Sequence, residues 1–361
     1  MALILVMAAA LWGIGALTGA PRRMRWGMIG VLWLGVVILH LILPAAAPLR
    51  QATGGTAAPW LRLGGGVALV LAYAALLRRL RRRIDAQEPA PVPPETGRFT
   101  DTELDRYARH IVLREIGGPG QKRLKQARVL VIGAGGLGAP ALLYLAAAGV
   151  GTIGVIDDDT VDNSNLQRQV IHPDAAIGMP KVFSAEAAMR AQNPYVTVRP
   201  YNRRLTPDIA PELFADYDLI LDGSDNSDTR YLVNATAVAC RKPLISGALA
   251  QWEGQIALFD PARGGPCYQC IFPHPAAAGL APSCAEAGVI GPLPGVIGAM
   301  MAIEAIKQIT GAGQGLRGQM LIYDALYGEN RSIRLHRRAD CAACGAAAHP
   351  TGEDKDDQPA A

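Results

Sequence analysis

A chain of 361 residues, half of them hydrophobic, has room for one large domain or two ordinary ones. The formal charge of +4 is unevenly placed: residues 1–83 hold ten Arg and no Asp, Glu or Lys, which leaves −6 for the rest. The basic balance therefore belongs to the N-terminal region alone and is no footprint of a nucleic-acid partner.

That region carries three apolar stretches, 2–20, 26–47 and 60–77, each near the ~20 residues that cross a hydrocarbon core. Only Arg62, near one end, interrupts them. Three such stretches so close together point to three transmembrane helices rather than buried soluble ones. The first also lacks the positive start of a signal peptide. Gly64-Gly-Gly66 makes the third the weakest helix former. Arg22, Arg23 and Arg25 lie between the first two stretches, and Arg78, Arg79, Arg81, Arg82 and Arg83 follow the third, whereas the intervening loop has only Arg50. The positive-inside rule then places the N-terminus outside and everything after Arg83 in the cytoplasm, at a cytoplasmic (inner) membrane.

The membrane region (1–83) is followed by a linker (84–99). Its residues 84–97 include Pro89, Pro91, Pro93 and Pro94 and read as an extended spacer. Thr100-Asp-Thr-Glu103 is a capping box that should start a helix running to about Arg114. Arg106, Arg109 and His110 fall near one side of it, which by periodicity alone reads as a solvated face.

The next stretch organises the chain. An apolar strand, 129–132, enters the turn Gly133-Ala-Gly135-Gly136-Leu-Gly138. A helix and a second strand, 152–156, follow, and that strand ends on Asp157. This is a nucleotide-binding βαβ unit: glycines let backbone approach a phosphate, the helix N-terminus offers N–H groups, and the acid suits a ribose hydroxyl. NAD, FAD and ATP enzymes all use such a turn. Arg168 and Lys181, with Asn165 and Gln167, come just after the unit. Two cations there serve charge neutralisation at phosphorus better than hydride transfer, so the set favours a triphosphate.

Further strands at 196–201, 219–222, 244–246 and 254–259 alternate with helices at 181–192, 207–215 and 226–239. A helix at 294–309 then precedes strands at 319–323 and 331–336. The pattern predicts an α/β, Rossmann-like, mostly parallel sheet with helices on both faces, the last strands adding antiparallel at one edge. Asp222-Gly-Ser-Asp225-Asn226 follows a strand end, where a carboxylate can hold Mg²⁺ or either of the last two residues can cap a helix. Cys267-Tyr-Gln-Cys270 and Cys341-Ala-Ala-Cys344 suggest a tetrahedral Cys₄ zinc site, with a redox dithiol as the alternative for either pair alone. Cys240 reads as a buried core thiol. Cys284, in a loop-like segment, is either incidental or an accessible nucleophile. The domain spans 100–345, and 346–361 is a polar tail expected to be disordered.

Assembled, these residues resemble the MoeB/ThiF/HesA family, bacterial relatives of ubiquitin-activating enzymes, and among them the molybdopterin-synthase adenylyltransferases. The motifs are RYARHIVL, GAGGLG, Asp157-Asp-Asp159, SNLQRQ, Gly178-Met-Pro-Lys181, DGSDN, CYQC, CAEAGVIGPLPGVIG and CAACG. The resemblance implies ATP-dependent adenylation of the C-terminal glycine of a small ubiquitin-like sulfur carrier ending in Gly-Gly. It implies Gly133, Gly135, Gly136, Gly138, Asp157, Asp159, Asn165, Arg168, Lys181, Asp225 and Asn226 around the nucleotide, with Asp225 on Mg²⁺. It places Zn²⁺ on Cys267, Cys270, Cys341 and Cys344, and makes Cys284 the counterpart of a cysteine that some members bond to the carrier. Arg109 would reach the partner subunit's ATP, which corrects the solvated-face reading and implies a twofold homodimer. Two features depart from the family pattern. One is the membrane region. The other is that no rhodanese-like domain follows Gly345, so a sulfur-donating step in cis is not expected. The competing readings are an NAD-dependent oxidoreductase, a non-catalytic membrane scaffold that binds carriers, and an enzyme that activates a different acceptor.

Overall fold

The computed structural model describes residues 2–87, 98–275 and 287–345. Cys284, most of the proline-rich spacer and the tail 346–361 lie outside the described residues. The chain divides into two compact units, Met1–Ala90 and Pro91–Ala361.

The first unit contains α1 (Ala2–Leu17), α2 (Arg22–Ile42), the short α3 (Pro48–Ala52) and α4 (Ala58–Gln87). Among the described residues only α2 and the 58–77 part of α4 are long and apolar enough to cross a membrane, with mean hydropathies of 1.8 and 1.7. Of the three expected spans, two therefore have the length and apolarity that crossing requires. At 16 residues α1 reaches about 24 Å, short of the ~30 Å hydrocarbon core. It stops early because Gly19 takes φ +72° just before Pro21. The three glycines do not break α4. Gly64 instead admits the Trp33 ring, since a Cβ there would stand 2.1 Å from it. Trp33 Nε1 donates to the Trp60 carbonyl at 3.0 Å, and Ile4, Val36, Val37 and Trp60 form a small core. Residues 84–87, expected in the spacer, are the last turn of α4.

The second unit is built on one eight-stranded sheet. Its strands are β1 (Arg128–Ile132), β2 (Thr152–Ile156), β3 (Thr197–Tyr201), β4 (Leu219–Asp222), β5 (Leu244–Leu249), β6 (Glu253–Phe259), β7 (Gln319–Asp324) and β8 (Glu329–Arg334), in the order β3-β2-β1-β4-β5-β6-β7-β8. The pairings from β3 through β5 are parallel, and those from β5 to β8 antiparallel. The sheet is thus parallel through β5, and the antiparallel additions expected at one edge begin already at β6. For β5–β6 and β7–β8 the reason is local: residues 250–252 and 325–328 are too few for a crossover, so each forms a hairpin.

Alternation along the strands fills two cores. Val129 and Val131 point to the side covered by α8 (Gly138–Ala148), α9 (Lys181–Gln192) and α13 (Pro292–Thr310). Leu130 and Ile132 point to the side covered by α10 (Ala210–Ala215) and α11 (Ser227–Ala239). Between the predicted capping box and the sheet lie α5 (Asp101–Arg106), α6 (Ala108–Ile111) and α7 (Gly117–Gln126), and the 4-residue α12 (Tyr268–Ile271) leads into the cysteine region. The capping box forms: Thr100 Oγ1 accepts from the Glu103 N–H at 3.2 Å, and Glu103 Oε2 from the Thr100 N–H at 2.9 Å. The single helix expected over 100–114 is split at Tyr107, whose buried ring lies against Gly149 and whose hydroxyl accepts from Asn193 Nδ2 at 2.8 Å. The α7 helix had no sequence signal, because it opens on Gly117-Gly-Pro-Gly120. Buried Leu124 and the Gln121 amide, which donates to the Ala148 carbonyl at 2.8 Å, hold it in place.

Candidate active site and metal centre

The parallel strands β3, β2, β1 and β4 end at one edge, where open α/β sheets place their ligands. The loops beyond them enclose a cavity of about 570 Å³, within the usual range for a small-molecule site. Gly133, Gly135 and Gly136 line it together with Asp157, Asp159, Arg168, Lys181, Asp225 and Asn226. Gly138 lies behind the turn rather than in the lining. A Cβ there would stand 1.9 Å from the Gly133 carbonyl oxygen, so glycine is what lets α8 start so close to β1.

Asp157 is half-buried and locally tied. Its Oδ2 accepts from the Ala134 N–H at 2.7 Å and its Oδ1 from the Asp159 N–H at 2.8 Å. Burial raises its pKa, opposed by those two N–H groups and by Lys181. Each oxygen keeps a lone pair for a hydroxyl. The Lys181 side chain is 6% exposed, and its ammonium sits 2.8 Å from Asp159 Oδ2. Arg168 turns back on its own loop, Nη1 donating to the Ser164 carbonyl at 3.1 Å. Asn165, in a 3-10 turn, donates weakly to Ser164 Oγ and stays outside the lining.

The two readings of Asp225 and Asn226 divide between them. Asn226 caps α11, Oδ1 accepting from the Thr229 N–H at 2.9 Å. Asp225 stays exposed at the cavity with no hydrogen bond or ion pair among the described residues. Arg109 is exposed on α6 and absent from the lining.

Two further side chains had no sequence signal. Arg230, one turn into α11, reaches under the cavity floor. Its Nη2 donates to the Ser224 and Gly247 carbonyls and its Nη1 to Ser246 Oγ at 3.2 Å, with Asp222 Oδ2 3.7 Å away. Asp222, at the end of β4, is 1% exposed and accepts from the Ser224 N–H and hydroxyl at 3.0 and 2.6 Å. His172 is buried behind the glycine turn, Nε2 2.9 Å from the Ala134 carbonyl and Nδ1 3.0 Å from Ser184 Oγ.

The four paired cysteines converge although 71 residues separate Cys270 from Cys341. All four are buried, with Sγ–Sγ distances of 3.8 Å (Cys267–Cys270), 3.6 Å (Cys267–Cys341) and 3.4 Å (Cys270–Cys344). A tetrahedron with Zn–S bonds of ~2.3 Å has edges of about 3.8 Å, so the set fits a thiolate-bound cation. The Asn234 amide and the Arg338 N–H point at the Cys267 and Cys270 sulfurs from 3.8 and 3.5 Å, where they can donate to thiolates and orient them. Neither CxxC pair stands alone, which weakens the redox-dithiol reading. Cys240 is half-buried beside the Pro211 carbonyl, less enclosed than a core thiol.

Residues 107–343 match the family model described as the ThiF family. The chain is 49% identical over 252 residues to a sulfur carrier protein adenylyltransferase of Thermus thermophilus, a match covering 69% of this chain and 93% of that protein. It is 48% identical to the bovine adenylyltransferase and sulfurtransferase MOCS3, with 71% and 56% covered, and 50% identical to a probable adenylyltransferase/sulfurtransferase MoeZ of Mycobacterium tuberculosis, with 68% and 64% covered. The chain thus spans nearly all of the first relative and somewhat over half of the other two. Among solved structures, E. coli MccB with a MccA variant superposes with a TM-score of 0.60 at 22% identity, covering 68% of this chain and 76% of that one. At that identity the likeness concerns the fold.

Proposed function

The chain belongs to the ThiF family, and on that premise we propose that it uses ATP to adenylate the C-terminal glycine carboxylate of a small ubiquitin-like sulfur carrier, for molybdopterin or thiamine sulfur transfer. A carboxylate oxygen of the carrier attacks the α-phosphorus. The bond from that phosphorus to its β-bridging oxygen breaks, and pyrophosphate leaves with the electron pair. No general base is required, because a terminal carboxylate (pKa ~3.5) is already ionised at neutral pH. The protein supplies position and charge neutralisation.

One observation carries this reading: the glycine turn, Asp157, Arg168, Lys181 and Asp225 meet around a single cavity at the strand ends. In the proposal Asp157 takes the ribose hydroxyls, Arg168 and Lys181 take the phosphates, and Asn165 adds a hydrogen bond. Asp225 would hold Mg²⁺, which supplies further positive charge on the phosphates. The exposed Arg109 completes the site of a second subunit in a twofold homodimer. The cysteine cluster would hold Zn²⁺ as a closed structural site that pins the C-terminal segment. Cys284 enters only through the family resemblance, as a group able to bond the carrier.

The outward apolar surface of the first unit, with Leu69 74% and Val31 72% exposed, supports a membrane tether. We place α1, α2 and α4 in the inner membrane, the N-terminus outside and the second unit in the cytoplasm. A bilayer can thin locally around the short α1. The enzymatic reading predicts that Arg168→Ala and Asp225→Ala each abolish ATP–pyrophosphate exchange. Wild-type rates in both variants would place the chemistry elsewhere.

A further inference from the structure

Among the described residues His172 is the one buried histidine of the second unit, at 5% exposure, and the proposed reaction does not use it. It is absent from the cavity lining, so it cannot touch a nucleotide bound there. Its neighbours nevertheless connect it to the glycine turn, Asp157 and Lys181. The Ala134 carbonyl can only accept, so the ring nitrogen facing it, Nε2, carries the proton. Burial lowers the pKa of the ring and keeps it neutral. Nδ1 is then a free acceptor, and Ser184 Oγ–H donates to it.

The contacts close into a circuit. Ala134 lies inside the glycine turn, its N–H held by Asp157 and its carbonyl by His172. The N–H of Asp159 is held by the other Asp157 oxygen, and the Asp159 carboxylate holds the Lys181 ammonium. The Lys181 N–H also donates to the Asp159 carbonyl at 2.9 Å. Lys181 begins α9, and Ser184, one turn along the same helix, returns to His172. The glycine turn, the acid and the lysine are thereby tied into one loop of hydrogen bonds, one side of which runs through Asp157 and Asp159 and the other directly from the turn to α9 through His172.

We propose that His172 is a positioning residue for the nucleotide: by clamping the Ala134 peptide to the helix that bears Lys181, it fixes the glycine turn at the distance a triphosphate requires. The proposal rests on the ATP-binding part of the function above and is independent of the acceptor. A neutral, doubly bonded imidazole suits this task, because it spans two acceptor and donor partners with one rigid ring.

The test uses the full chain in detergent. ATP affinity is measured directly without carrier, and exchange kinetics are measured with a Gly-Gly carrier. His172→Ala should weaken ATP binding roughly tenfold, the scale of one lost buried hydrogen bond. It should raise the KM for ATP in parallel and leave the KM for the carrier unchanged. Ser184→Ala should weaken ATP binding by less. His172→Gln, whose amide N–H can still reach the Ala134 carbonyl, should recover most of the loss. Wild-type ATP affinity in His172→Ala, accompanied only by a lower melting temperature, would overturn the proposal. Should that variant fail to fold, unchanged affinity in Ser184→Ala overturns it instead. If wild-type protein binds ATP but no carrier elicits exchange, the acylation reading fails while the affinities still decide the role of His172.

Discussion

Replacing Arg230 by methionine should destabilise the second unit more than any exposed substitution around the cavity. The Arg230 side chain is 11% exposed and the facing Asp222 side chain 1%. Methionine keeps the length and apolar stem but removes the charge, leaving the Asp222 carboxylate buried without a cation. It also strips a donor from the Ser224 and Gly247 carbonyls. Asp222 retains hydrogen bonds from the Ser224 N–H, Ser224 Oγ and Ser246 Oγ, which moderate the loss. Breaking a buried pair costs about 3–5 kcal/mol, and those bonds put Arg230→Met near the lower end. For a unit of this size that lowers the melting temperature by on the order of 10 °C. Near-UV circular dichroism on the full chain reads it. Adding Asp222→Asn to Arg230→Met should cost less than the sum of the two single changes, since the orphaned charge is gone. Additive effects, or an unchanged melting temperature in Arg230→Met, would refute the claim that the pair holds the cavity floor.

Cys341→Ser should abolish zinc binding, read as metal content per chain, and lower the melting temperature by roughly 10 °C through loss of a bound structural ion. Full metal content in that variant would dissolve the Cys₄ assignment. For pH dependence, the folded-state pKa of His172 lies below its ordinary 6.5. Below that pH the unfolded chain therefore binds a proton that the folded chain refuses, so stability falls as pH drops. His172→Gln should flatten this part of the profile, and an identical slope in the variant would contradict it. The raised Asp157 works in the opposite sense at lower pH, because the folded state there takes its proton more readily. A reporter fused after Arg83 should report a cytoplasmic location, and a signal on the far side would reverse the proposed topology.

The strands and most of the long helices were legible because hydrophobic period and glycine punctuation act locally. Asp157, Arg168, Lys181 and Asp225 stood out because each follows a strand or a recognisable motif, and the structure gathers them at one cavity. The antiparallel half of the sheet was partly hidden: a short hairpin loop such as 250–252 becomes evident only when β5 is seen to run on to Leu249. The break at Tyr107 and the α7 helix depend on tertiary burial that overrides propensity. Arg230 and His172 were invisible because their pairings form only in the folded chain, Arg230 folding back across the β4–α11 turn onto Asp222 and His172 meeting Ala134 from 38 residues away. The length of α1 hinged on one positive-φ glycine in an otherwise continuous apolar run.

The most direct measurement is ATP–pyrophosphate exchange by the purified full chain, with a panel of small ubiquitin-like carriers and the same carriers lacking the terminal glycine. The account predicts exchange that depends on one or more intact carriers and vanishes when that glycine is removed. Exchange indifferent to the terminal glycine, or none with any carrier from a protein that binds ATP, would contradict it.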